Sequence, residues 1–236
     1  MRILAFESSA KAASVALLED DRLLGEYYQN SGQTHSRTLM QMAENLLKNC
    51  DLTPADIDAA AVAAGPGSFT GVRIGVAAAK GFAWGREIPC YGVSTLEAMA
   101  MTARHLDGIL CCAMDARRAQ VYNAVFRAAD GALERLSDDR AISLQELGEE
   151  LKKYENPIFL VGDGAALCYN TLCQTMENLR LLPEEHRMQR ASGAALLALE
   201  RVRCGDPGDA AALTPQYLRL SQAERERQER LRQGKD

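Results

Sequence analysis

Ala64-Gly65-Pro66-Gly67-Ser68-Phe69-Thr70-Gly71-Val72-Arg73 is the stretch that decides the fold. It lies between an apolar run, 57–64, and a helical run, 70–84. A glycine takes positive φ without a Cβ penalty, and a proline restricts the residue before it, so the block reverses the chain sharply between strand and helix. Ser68 or Thr70 suits the helix cap, and the free amides of the first turn suit an anion. The spacing alone is met equally by a plain tight connection.

Upstream, 3–6, 14–18 and 23–28 read as three strands of a meander, broken by Glu19-Asp20-Asp21-Arg22. Leu39, Met42, Ala43, Leu46, Leu47 and Cys50 then fall at helical spacing, with Thr34 or Ser36 at the start. Downstream, 89–94 reads as a strand and 95–105 as a helix. The same order restarts after Asp107-Gly108: strands at 109–114, 121–127 and 133–136, a helix at 144–154 opened by the capping box Ser143/Glu146, a strand at 158–162 and a helix beyond Gly162-Asp163-Gly164. A last helix spans 191–204. Two units of three strands, helix, strand, helix imply an internal duplication with mixed sheets and flanking helices. The expected lobes are 1–106 and 107–220. The tail, 221–236, has one leucine among mostly charged residues and is expected to fray or stay disordered.

The chain has 236 residues, 27 basic and 32 acidic, a formal net charge of -5. That balance argues against nucleic-acid binding as its main solitary activity. No run approaches the roughly 18 apolar residues of a membrane helix, and the acid at Glu7 leaves the first apolar run too short for a signal peptide. The seven cysteines are an odd number, as expected of free thiols in a reducing cytoplasm.

Several residues bear chemistry. The helix after the Gly-Pro-Gly block is apolar almost all round, with Arg73 and Lys80 its charges. Such a helix needs cover on both sides, from its own chain or from a partner. Gly71, Gly75, Ala78 and Phe82 line one side, and Ile74 and Ala79 are apolar too; Leu39, Met40, Met42 and Ala43 of the preceding helix lie beside them. With Arg73 these form the candidate partner surface. Glu7, Ser8 and Ser9 end the first strand, and Gly162 and Gly164 flank a strand-to-helix turn; these are weak candidates for an anion or nucleotide. Arg117 and Arg118 suit a phosphate, an acidic partner or an ion-paired hairpin. Histidines 35, 105 and 186 lack metal-ligand spacing.

Five blocks together carry a resemblance: Ile3 to Ser9, Ala64 to Gly75, Gly92 to Ala98, Asp115 to Arg118 and Pro215 to Arg219. They resemble the TsaB (YeaZ) family, bacterial accessory proteins of tRNA threonylcarbamoyladenosine biosynthesis. The resemblance implies an actin-like, two-lobed fold of the sugar kinase/Hsp70 kind and kinship with the catalytic protein TsaD. Where TsaD carries a metal-binding His-Met-Glu-Gly-His segment, this chain has Thr95-Leu96-Glu97-Ala98-Met99, without either histidine. Where TsaD carries Cys-Asp-Glu-Thr, it has Ala10-Lys11-Ala12-Ala13. The resemblance therefore implies a non-catalytic subunit that pairs with TsaD through the first two helices, homodimerises through the same surface, works with the TsaE ATPase and meets tRNA only in the complex. No catalytic residue, metal ligand or intrinsic cofactor is expected; ATP or ADP and a metal are expected at the assembled complex alone. The alternatives are an actin-like ATPase or small-molecule kinase acting by itself, and a peptidase.

Overall fold

Alternating apolar side chains fold the start of the chain into a meander of β1 (Arg2–Glu7), β2 (Ala13–Glu19) and β3 (Arg22–Gln29). The computed structural model describes residues 1–219, so the expectation for the tail at 221–236 lies outside the described residues. α1 (His35–Asn49) follows, then a 3-10 turn, β4 (Ala59–Ala63), α2 (Phe69–Arg86), β5 (Cys90–Val93) and α3 (Thr95–Ala103). β1 pairs antiparallel with β2 and parallel with β4, which pairs parallel with β5.

The second unit comprises β6 (Gly108–Asp115), β7 (Gln120–Ala129), β8 (Ala132–Arg135), β9 (Arg140–Ser143), α4 (Leu144–Leu151), β10 (Ile158–Val161), α5 (Ala165–Leu172), β11 (Leu179–Leu181), α6 (Glu184–Arg187) and α7 (Ala191–Arg203). The first sheet has the order β3-β2-β1-β4-β5 and the second β8-β7-β6-β10-β11, with β9 paired to β7. Numbered within each unit, the first order is third, second, first, fourth, fifth, and the second is the same once β9, which lies off the path, is set aside. The duplication expected from the order of elements is thus also one of strand topology.

Each sheet is covered on both faces. Leu39, Met42, Leu46, Val72 and Val76 of α1 and α2 bury against Leu4, Phe6, Val15 and Val62 of the first sheet. α4 and α5 cover the outer face of the second sheet. α3 and α7 fill the space between the sheets. Leu96, Met99 and Ala103 of α3 pack on Leu110 and Phe126. Ala194, Leu197 and Ala198 of α7 pack on Ile3, Ala5 and Ala61. The division at residue 106 therefore separates the two sheets but not the packing units. α7 and the segment after it, placed by the sequence with the second lobe, cover the first. The apolar residues of α7, with Ala98 and Met101 of α3, cover the face of β1, β2 and β4 opposite α1 and α2.

Two local signals have different outcomes. Thr34 is the N-cap of α1, but its side chain makes no capping hydrogen bond, and Ser36 lies inside the helix. Ser68 does cap α2, its Oγ accepting from the Gly71 amide at 3.3 Å.

Candidate functional site

β1 ends at the bottom of a cleft between the lobes. Glu7 is 1% exposed, its Oε1 accepts from the Ser9 amide at 2.5 Å, and its Oε2 has no partner. Burial, opposed by the Ser9 hydrogen bond and aided by the charge of Asp163, pushes the Glu7 carboxyl up to about 7. Ser8 Oγ donates to the Gly71 carbonyl at 2.8 Å, and the Ser68 amide donates to the Ser9 carbonyl at 2.6 Å. Ser8 and Ser9 therefore fasten the end of β1 to the start of α2, the Glu7 bond closes within its own turn, and Ser9 alone of the three lines the cleft.

The Glu7 shift has a testable sign. Between its ordinary value near 4.5 and about 7, the folded chain holds a proton that the unfolded chain has released. Stability is lost as pH rises through that window. Glu7→Gln keeps the carbonyl acceptor and removes the ionisation. The variant is expected to gain on wild type between pH 5 and pH 8, by at most about 3 kcal/mol. Chemical denaturation of both proteins at the two pH values checks it; a constant difference contradicts the assignment.

The opposite wall comes from the second unit. Gly162, at φ 104°, and Gly164 lie against β6: a Cβ would meet the Ala113 carbonyl oxygen at 2.2 Å or Met114 backbone carbon at 2.8 Å. These glycines allow close backbone approach, and neither lines the cleft. The residue between them does: Asp163 is raised by burial, and its Oδ1 accepts from Gln189 Nε2 at 2.7 Å. The cleft encloses about 690 Å³.

A strap closes one end. Lys80 Nζ donates to the carbonyls of Ala211 and Leu213, at 3.1 and 2.9 Å. The Gln216 amide donates to the Ala64 carbonyl at 2.7 Å, Tyr217 stacks on Phe69 at 4.6 Å, and Arg219 Nη1 donates to the Ala116 carbonyl of the other lobe at 2.8 Å. The Pro215–Arg219 block, visible in the sequence only through resemblance, thus joins the lobes across the cleft.

The donor set does not fit the metal centre of the TsaD fold. Thr95, buried with an unpartnered Oγ1, and Met99, packed toward Gly162, stand where the resemblance to TsaD implies histidines. A neutral hydroxyl and a thioether are poor substitutes for imidazole on a divalent metal. Among the described residues, no three His, Cys, Asp or Glu side chains converge on a metal site. Burial pushes the Cys90 and Cys168 thiols up to about 12 and raises those of Cys111 and Cys112 as well, so these thiols stay protonated.

The helical surface differs from the sequence reading. Leu39, Met42, Ala43, Gly71, Gly75 and Ala79 are buried against the chain's own sheet and cannot touch a partner directly. Arg73 turns toward the cleft end of α2, its Nε donating to Tyr217 Oη at 2.7 Å. The outward stripe carries half-buried Ile74, Ala78 and Phe82, exposed Ala77, Gly81 and Gly85, and Trp84, which is 68% exposed. Met40 of α1, 47% exposed, stands on the neighbouring helix. Residues 77, 81 and 84 share a helix face by their 4 and 3 spacing, a signal available in the sequence but hidden by the helix's uniform apolarity.

No helix among the described residues is long and apolar enough to cross a membrane. Residues 26–226 match the family described as TsaD, tRNA N6-adenosine threonylcarbamoyltransferase. The "tRNA threonylcarbamoyladenosine biosynthesis protein TsaB" of Bacillus subtilis is 36% identical, over 95% of this chain and 96% of its own length. The structure of YeaZ from Pseudomonas aeruginosa superposes with a TM-score of 0.73 at 26% identity, covering 92% of this chain and 99% of that one. Component A of the (R)-2-hydroxyglutaryl-CoA dehydratase of Acidaminococcus fermentans shares the fold at a TM-score of 0.50 and 12% identity, over 86% of this chain. With the doubled topology, these likenesses place the fold in the actin-like class, and the near full-length match to the Bacillus subtilis protein shows that the chain belongs to the TsaB (YeaZ) family of tRNA threonylcarbamoyladenosine biosynthesis proteins.

Proposed function

We propose that this chain is a non-catalytic subunit that binds and activates a TsaD partner in forming threonylcarbamoyladenosine on tRNA. The observation that carries the reading is the outward stripe of α2. Small residues at Ala77, Gly81 and Gly85 permit close approach of a second helix, and an exposed tryptophan beside them is a typical anchor of a protein interface. The sequence supports the same reading, because Thr95 and Met99 stand where the resemblance to TsaD implies metal-binding histidines.

In this reading the α1/α2 face pairs with TsaD, and with a second copy when TsaD is absent. The TsaE ATPase, tRNA, a nucleotide and a metal join only at the assembled complex, in the cytoplasm. Mixing the chain with its cognate TsaD and measuring sedimentation tests the pairing. A one-to-one complex that displaces the chain's own dimer is the expected result. Separate sedimentation of the two proteins at micromolar concentration contradicts it.

A further inference from the structure

The mouth of the interlobe cleft gathers positive charge on a chain whose net charge is -5. Lys11, Arg117 and Arg219 line it, Arg118 adjoins Arg117, and Arg73 lies over the ring of Phe69, another lining residue, at 3.8 Å. Many other basic side chains have carboxylate partners, such as Arg127 with Glu134, Arg140 with Glu150 and Arg203 with Asp21. Among the described residues, none of the five at the mouth has an acidic partner within 4.0 Å.

We infer that this rim is a docking surface for the phosphate backbone of RNA, which in the assembly is the tRNA. The inference rests on the subunit reading above and names the surface through which the subunit serves the complex.

Three further observations point to the same ligand. Arg117, Arg118 and Ala119 all have left-handed backbones, at φ 63°, 55° and 55°. Each such residue with a Cβ carries a cost of order 1 kcal/mol. The turn is held by the Arg117 amide on Asp115 Oδ1 at 2.7 Å and by the Ala116 amide on the Gln120 carbonyl at 3.0 Å. Its outcome is two adjacent arginines in solvent at the edge of a cleft. Second, the stacked Phe69–Tyr217 pair, with Tyr217 41% exposed, offers an aromatic face beside Arg73, the combination that takes an unstacked base. Third, the carboxylates do not cancel the rim. Asp163 is mostly buried and held by Gln189, and Asp115 accepts from the Arg117 amide, leaving five cations against two acids.

The test uses the chain paired with its cognate TsaD and unmodified tRNA. Binding is read by fluorescence anisotropy at several salt concentrations for wild type, Arg117→Glu/Arg118→Glu and Lys11→Glu. The double variant is expected to weaken tRNA binding about tenfold or more at low salt and to flatten the slope of log K against log salt by about 2, one for each lost phosphate contact. Lys11→Glu is expected to do the same by about half. Pairing with TsaD is read on the same samples by sedimentation. Wild-type affinity and salt slope in both variants, with pairing intact, overturn the proposal alone. Failure of the wild-type chain to pair overturns the subunit reading and this proposal together.

Discussion

Gly81→Glu is expected to abolish pairing with TsaD while the isolated chain melts within about 5 °C of wild type. A Cβ at Gly81 meets nothing within 4 Å, so the longer side chain has room in the monomer. The substitution also replaces glycine by a better helix former, worth up to about 1 kcal/mol. In the pair, the same carboxylate is buried against an apolar helix without a partner, at a cost of several kcal/mol, which is more than a hundredfold in affinity. Trp84→Ala gives a graded companion. Loss of a central aromatic anchor costs roughly 2 kcal/mol or more of binding, about thirtyfold, and almost nothing in the monomer, where the ring is 68% exposed. Titration of the labelled chain with TsaD measures both, and undiminished pairing by both variants contradicts the assigned face. Glutamate at Gly75 or Ala79, on the inward side, is no test of pairing. A Cβ at Gly75 meets Ser8 Oγ at 2.5 Å, and Ala79 has no exposed surface, so the fold itself suffers.

Gly71→Val is expected to cost on the order of 3 kcal/mol or more and to leave a large fraction of the chain unfolded at 37 °C. A Cβ there stands 2.1 Å from the Ser8 carbonyl oxygen, a backbone atom that no rotamer change can move. Relief requires α2 to shift from β1, which strains the Ser8 Oγ hydrogen bond to the Gly71 carbonyl. Whole-domain stability is commonly only 5–15 kcal/mol, so a loss of this size is a large part of the total. Urea denaturation followed by circular dichroism measures it. A midpoint equal to that of wild type contradicts the close contact of β1 with α2.

The fold was legible because its signals are local and repeated. The meander, the Gly-Pro-Gly reversal and the Ser143/Glu146 capping box each carry their own pattern, and their order repeats. β11 was illegible because three residues cannot show a period of two, and β9 because Arg140-Ala141-Ile142-Ser143 mixes polar and apolar side chains in its few positions. The return of α7 to the first sheet is a long-range event that no local pattern encodes. The partner surface was half legible. Apolarity all round α2 marked the helix but not its outward face, since glycine and alanine serve equally well against β1 and against a partner. Lys80 stood out only as one of two charges on an apolar helix; its role is to hold two carbonyls of the strap. At the cleft, Gly162 and Gly164 drew attention as a loop signal, yet Asp163 between them is the residue that lines it. Burial, which gives Glu7 its raised pKa, is invisible in an isolated Glu-Ser-Ser.

The most direct test is tRNA threonylcarbamoylation in a mixture of cognate TsaD, TsaE, the adenylate-forming enzyme, ATP and unmodified tRNA, with and without this chain. Turnover is expected to stop when the chain is omitted, to return when wild-type chain is added and not to return with Gly81→Glu. Equal modification with and without the chain contradicts the subunit reading.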